Sequence, residues 1–397
     1  MFLSRFGVKR YKCLGEIEIP LTPIHVLIGE NDAGKTSLLE AIAALHASSE
    51  KVLRDVFPAP WEGRELVLHG ASEASVELWG QWRSSADDVP TFQYGICVDF
   101  PAKGKNYSNL VEWIERPSEE RRALPQHSPA ASLLKWWKKG QKLPEQALPD
   151  LAIVDRALKP AHKYAFDAKL MAVPAATELA RKFRLDPDGF GLPTLLQDIL
   201  GYDPSEFIKL RTEFCRFFPQ FKNLRVESEN AVRRHYGEAG IVVRSDAAVG
   251  NAIHFETKTG ESVRAQQASD GAILFLGFLA LAHLPQPPNL LLIEEPENGI
   301  YPKRLGEVIR MLKEMVHRSD GVPFPQIILS THSPYVLSFF EPEEVTFLSR
   351  PPDDPNGPVR ARPLREAPNI AERLAGGEFY LGELWYNLSE EDLFGKS

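Results

Sequence analysis

The chain has 397 residues, 43% of them apolar and 25% charged, with a formal net charge of −8. This suits a globular protein of one to three domains with a large core, and the acidic balance excludes indiscriminate nucleic-acid binding but not a local basic patch. No apolar run approaches the roughly 18 residues that cross a bilayer, Met1–Phe6 opens no secretory leader, and Cys13, Cys97 and Cys215 are too scattered for a zinc or disulfide pattern, so a reducing cytoplasmic location and no membrane partner are expected.

In chain order, Phe6–Leu14 and Ile17–Leu21 read as short strands. The apolar run Ile24–Ile28 then empties into Gly29-Glu30-Asn31-Asp32-Ala33-Gly34-Lys35-Thr36-Ser37. This is a G-x-x-x-x-G-K-T phosphate-binding loop between a strand and a helix that continues to Leu45. Its glycines let the backbone turn N–H groups toward phosphate oxygens, and the helix dipole adds to that field. Lys35 is suited to reach the β- and γ-phosphates and Thr36 to offer its hydroxyl to Mg²⁺. The plainer reading is a Gly-rich turn before an ordinary helix, which the flanking strand and helix disfavour.

Strands are expected at Glu65–Leu68, Ser75–Trp82 and Phe92–Phe100, and helices at Ser132–Lys139, Pro174–Phe183, Leu192–Leu200 and Ser205–Phe218. Strands return at Asn223–Glu227, Ile241–Arg244 and Ala252–Thr257. The last third alternates helix and strand, as a parallel sheet with crossovers does. Arg350–Pro358 reads as an exposed turn.

The middle of the chain is rich in cations: Lys103, Lys105, Arg116, Arg121, Arg122, Lys135, Lys138, Lys139 and Lys142, with Trp113, Trp136 and Trp137 among them. Cations hold phosphates and rings stack on bases, so nucleic acid is a candidate partner here. The favoured alternative is a solvated surface whose tryptophans pack inward; a protein-binding face is a third reading.

Three further motifs follow. Ser269, Asp270 and Gly271 precede an apolar helix, Ile273–His283; they can cap it, and its first N–H groups can receive an anion. The buried run Asn289–Ile293 ends in Glu294 and Glu295. The first carboxylate is suited to hold Mg²⁺ through its water shell, the second to polarise an attacking water. The run Gln326–Leu329 ends in Ser330-Thr331-His332-Ser333-Pro334, where His332 is suited to sense a γ-phosphate.

In this order, these elements resemble the ABC-type ATPase head of the RecF, OLD and SMC families. Val8–Lys12 and Ile17–Ile19 are similar to the first strands of such heads, and Glu294-Glu295-Pro296-Glu297-Asn298-Gly299-Ile300-Tyr301-Pro302 resembles an E-E-P-E-x-x-L-H-P segment. The resemblance implies an α/β P-loop NTPase with a mixed or parallel sheet core, an antiparallel β lobe and a helical insertion. It implies an N-terminal ATPase lobe over 1–100, the insertion over 101–222 and a C-terminal ATPase lobe over 223–397. ATP and Mg²⁺ are the implied ligands, clasped between two copies in a homodimer or higher oligomer. Lys35, Glu294, Glu295 and His332 come from one copy and Ser269 from the other. The resemblance adds Lys12 and Asn298 to the nucleotide-binding set (Gly29, Asn31, Asp32, Ala33, Gly34, Lys35, Thr36, Ser37, Ser269, Asp270, Gly271). It adds Gln81, preferred over Gln93, to Thr36 and Glu294 as a metal ligand. Asp270 departs from the family signature and brings a carboxylate to a phosphate site. About sixty residues follow His332, too few for a further catalytic domain. The expectation is therefore a compact ATPase that switches a separate effector, a nuclease, in anti-phage defence. A RecF-like repair ATPase and a nucleotide-dependent scaffold with little hydrolysis are the alternatives.

Overall fold

The structure is a computed structural model. It describes residues 1–57, 63–84, 89–100, 109–126, 128, 131–177, 183–236, 242–317, 325–351, 354–368, 370, 374 and 380–383. The chain divides into two compact units. One comprises Met1–Lys163, Pro288–Leu292 and Pro325–Ser397; the other comprises Tyr164–Pro287 and Ile293–Phe324. Each is discontinuous in sequence.

The first unit is built on two sheets. The strand order of the antiparallel one is Leu14–Pro20, Phe2–Tyr11, Ser75–Arg83, Phe92–Asp99, Asn109–Glu115, Arg122–Ala123. The other has the order Arg360–Pro363, Val345–Ser349, Ile24–Ile28, Gln326–Thr331, Leu290–Glu294, Ala161–Tyr164. Its central strand Ile24–Ile28 is buried on both faces and parallel to both neighbours, which explains why every residue but His25 is apolar. The helix Lys35–Ala47 contributes Leu38, Leu39, Ile42 and Leu45 to one core shared with Val8, Leu78, Trp82, Leu27 and Ile328. Buried Gln326 ties the sheets: its Oε1 accepts from the Leu3 N–H at 2.9 Å and its Nε2 donates to the Leu3 carbonyl at 2.7 Å. Without Gln326, two buried backbone groups would lose their partners, at about 1–3 kcal/mol each.

The second unit surrounds the helix Asp270–Ala282, which is buried on all sides from Ala272 to Leu281. The helices Leu192–Tyr202, Pro204–Phe217 and Pro302–Val316 flank it. Two 16-residue strands, Phe221–Tyr236 and Val242–Thr257, form a long hairpin where three short strands were expected. Phe214, Phe221 and Phe255 stack at its root, with centroids 4.7–6.0 Å apart.

Two expectations fail locally. Within the expected helix Pro174–Phe183, Ala175–Ala176 is instead a short strand on the hairpin, and residues 178–182 lie outside the described set. The reason is Gly250. A Cβ there would come within 2.2 Å of the Ala175 carbonyl oxygen, so only glycine lets that backbone close in. Glu65–Leu68 is a 3₁₀ turn, Gly63–Leu66, followed by a single bridge from Val67 to Tyr11. Within 101–222, helices share the segment with the strand Asn109–Glu115. Its alternation was masked because Glu112, a charged residue, faces the core beside Leu110 and Ile114.

Candidate nucleotide site

The phosphate loop leaves the sheet at Gly29. A Cβ at Gly29 would lie 2.4 Å from the Leu348 carbonyl oxygen. At Gly34, whose φ is +82°, a Cβ would lie 3.1–3.2 Å from Leu14, Val359 and Cys13. Crowding against backbone demands glycine at position 29, and the left-handed backbone that starts the helix at Lys35 favours it at position 34. Asp32 turns with φ +64°. Asn31, Asp32 and Thr36 are exposed; Gly29, Ala33 and Lys35 are buried. Lys35 Nζ donates to the carbonyls of Gly29 and Glu30, 2.8 Å each, and so lies folded along the loop's inner edge. Cys13 Sγ contacts Ser37 Oγ at 3.6 Å. A glycine-walled loop with a buried lysine and an exposed threonine hydroxyl fits a triphosphate with its magnesium.

His332 reaches this edge through strand register. Gln326–Thr331 runs parallel to Ile24–Ile28 with Thr331 opposite Ile28. The two chains therefore leave the sheet at one level, one into Gly29 and the other into His332. Ser330 and Thr331 are buried and His332 is exposed. Thr331 Oγ1 accepts from the Ser333 N–H at 3.0 Å, which sets the turn after the strand.

In the second unit, Glu294 ends its strand and Glu295 follows with φ +44°, a left-handed conformation that is uncommon for a residue with a Cβ. The turn closes when the Asn298 N–H donates to the Glu295 carbonyl at 3.0 Å. The Asn298 side chain also donates through Nδ2 to Glu295 Oε2 at 2.8 Å. The sequence reading gave Asn298 to the nucleotide and missed this bond. Its visible signal was the E-P-E-N spacing, a four-residue turn with proline second. Gly299 (φ +78°) abuts the start of the Asp270–Ala282 helix: a Cβ at Gly271 would lie 3.2 Å from the Gly299 carbonyl oxygen. Ser269 occupies the N-cap position, but its hydroxyl makes no capping bond, contrary to the expected cap; Ser269 and Asp270 are exposed.

Lys12 Nζ pairs with Glu40 on the phosphate-loop helix at 2.5 Å, and Lys163 reaches the same carboxylate at 3.5 Å. Gln81 lies within the antiparallel sheet. Its neighbour Trp82 packs edge-on against His46 of that helix, and strand alternation turns Gln81 to the opposite face. Gln93, its direct cross-strand partner, shares that face.

Four cations of the basic middle segment meet carboxylates. Arg116 and Arg122 both bind the fully buried carboxylate of Asp150. Arg121 stacks on Trp113, 3.6 Å from its centroid, near Glu77 and Glu115. Lys138 meets Asp155 at 3.1 Å and Glu50 at 3.5 Å. Trp113 is buried, and Trp136 and Trp137 pack against the core. Lys103 and Lys105 lie outside the described residues.

Residues 1–103 match the family "AAA ATPase domain", and residues 149–338 match "AAA domain, putative AbiEii toxin, Type IV TA system". An OLD nuclease of Thermus scotoductus is 23% identical over 421 residues, an alignment that covers 99% of this chain and 70% of that protein. Among solved structures, the SMC head domain of Thermotoga maritima aligns over 91% of this chain and 99% of its own at 14% identity, TM-score 0.41. The Smc head domain of Pyrococcus yayanosii aligns over 95% and 99% at 10% identity, TM-score 0.46.

Proposed function

We propose, for a chain that carries an ABC-type ATPase head of the RecF, OLD and SMC class, that it hydrolyses ATP and that this cycle gates a separate effector protein. The observation that carries the reading is the Ile28–Thr331 register, which brings the phosphate loop and His332 to one edge of one sheet. At the C-terminal edge of parallel strands, loop amides and a helix N-terminus attract phosphate.

In this reading, the Gly29–Ser37 loop and Lys35 hold the β- and γ-phosphates, and Lys35 exchanges two neutral carbonyls for phosphate oxygens. Thr36 and Glu294 are the residues that would hold Mg²⁺, which when bound would neutralise phosphate charge. Glu295 aims the attacking water and His332 senses the γ-phosphate. Ser269 and Gly271 of a second copy complete the sandwich. The effector role draws its support from the similarity to an OLD nuclease and from the toxin–antitoxin wording of the matched family.

The test is ATP turnover by the purified protein, with and without DNA, compared with Glu295→Gln. The variant is expected to bind ATP, hydrolyse it at least about 100-fold more slowly and accumulate as an ATP-bound dimer in light scattering. Equal turnover by the two proteins overturns the assignment. Exposed Asp270 beside Ser269 favours one second reading, a slow hydrolyser that acts chiefly as a nucleotide-dependent scaffold. Single-turnover hydrolysis separates the two, since a scaffold gains nothing from Asp270→Gly.

A further inference from the structure

We propose that Asn298 is a positioning residue that holds the Glu295 carboxylate in a fixed direction; the proposal rests on the reading of Glu295 as the residue that aims water. Three observations converge. Glu295 has a left-handed φ of +44°, which costs about 1–2 kcal/mol for a residue with a Cβ, so the turn must be held from outside that residue. The turn is held: the Asn298 N–H closes it onto the Glu295 carbonyl at 3.0 Å, and the Ile300 N–H bonds the Glu297 carbonyl at 3.1 Å. Gly299 shapes it further: its φ of +78° favours a residue without Cβ, and a Cβ there would come 2.8 Å from Leu274 Cδ1.

From this anchored turn, Asn298 Nδ2 reaches back to Glu295 Oε2 at 2.8 Å. An ionised carboxylate only accepts, so the amide must present its NH₂ group, and the bond fixes which oxygen is held. A half-exposed glutamate otherwise loses about 1.5–2 kcal/mol of rotamer freedom when it is ordered for reaction. Asn298 supplies that ordering in advance, and the carboxylate's second oxygen is left with a defined orientation. Asn298 touches neither water nor phosphate in this role; it acts through Glu295.

The experiment is a double-mutant cycle on the full chain. Asn298→Ala is expected to lower kcat about tenfold, with KM and the affinity for a fluorescent ATP analogue unchanged. Asn298→Asp keeps the side-chain shape but removes the donor, and is expected to lose at least as much. In a Glu295→Gln background, Asn298→Ala is expected to change the residual rate by less than about twofold, because the group it orients is already gone. The proposal is overturned if Asn298→Ala turns over like the wild type, or if the same tenfold loss recurs in the Glu295→Gln background. It is also overturned if Asn298→Asp, with an unchanged thermal midpoint, retains full kcat. A Glu295→Gln protein with full turnover overturns instead the underlying role of Glu295, which separates the two failures.

Discussion

The phosphate loop and the basic segment between Arg116 and Lys142 both attract attention in the sequence as places where cations could meet phosphate, yet the fold treats their cations differently. Lys35 donates to two carbonyls of its own loop, bonds that a phosphate can replace. Arg116 and Arg122 bond a buried carboxylate, Asp150, so an incoming phosphate would have to displace a full negative charge and leave it unpaired in the interior. The lesson is that the partner of a cation, and not its number per segment, decides whether it can serve a ligand.

The sharpest break in this comparison is Lys35→Ala. It removes charge-assisted bonds worth about 1.5–3 kcal/mol each, so ATP-analogue affinity should fall by about 100-fold or more, measured by fluorescence titration. Unchanged affinity would remove Lys35 from the site.

The next effect concerns stability against pH. Burial, partly offset by bonds from the Tyr94 hydroxyl (2.7 Å) and the Leu133 N–H (2.6 Å), raises the Glu112 carboxyl to about 7. The folded state therefore binds this proton more tightly than the unfolded chain. Its contribution, on the order of 3 kcal/mol, is present below the ordinary carboxyl range near 4.5 and is lost as pH rises through 7. Burial has the opposite consequence for two imidazoles, lowering His25 to about 3 and His46 to about 4. Their contributions hold above the usual 6.5 and are lost on acidification. Denaturant unfolding of the wild type should thus weaken between pH 5 and 8 by more than it does in Glu112→Gln. A Glu112→Gln profile parallel to the wild type would exclude this account.

The smallest effect tests the basic segment itself. Asp150→Asn should cost about 1–3 kcal/mol, because the freed guanidiniums are partly exposed and recover water. It should also tighten binding of a short DNA duplex at low salt by severalfold, as two cations return to the surface. If wild type and variant bind DNA equally, the ion pairs do not mask a nucleic-acid face.

The motifs of the proposed nucleotide site are legible in the chain because each of them is local. A loop with glycines at fixed spacing, a strand ending in Glu294-Glu295 and another ending before His332 each announce themselves within about ten residues. Three residues have surroundings that only the folded chain reveals. Lys12 lies 28 residues from Glu40, the pairing that holds it. Gln81 has its face decided by which side of the sheet receives the phosphate-loop helix. Asn298 is close to Glu295 in sequence, but its side chain's target becomes visible only once the turn is built.

The amino-acid sequence alone determined the Gly29–Ser37 loop motif, the acidic strand end at Glu294-Glu295 and the polar strand end at Ser330–Pro334, since local backbone chemistry writes each of these as spacing and residue type. Tertiary structure decided the rest. It set the Ile28–Thr331 register, sent Ala175–Ala176 to a strand beside Gly250, buried Glu112 and neutralised the middle arginines. These outcomes turn on desolvation and on contacts between distant segments, and no local pattern encodes how much water a side chain will lose.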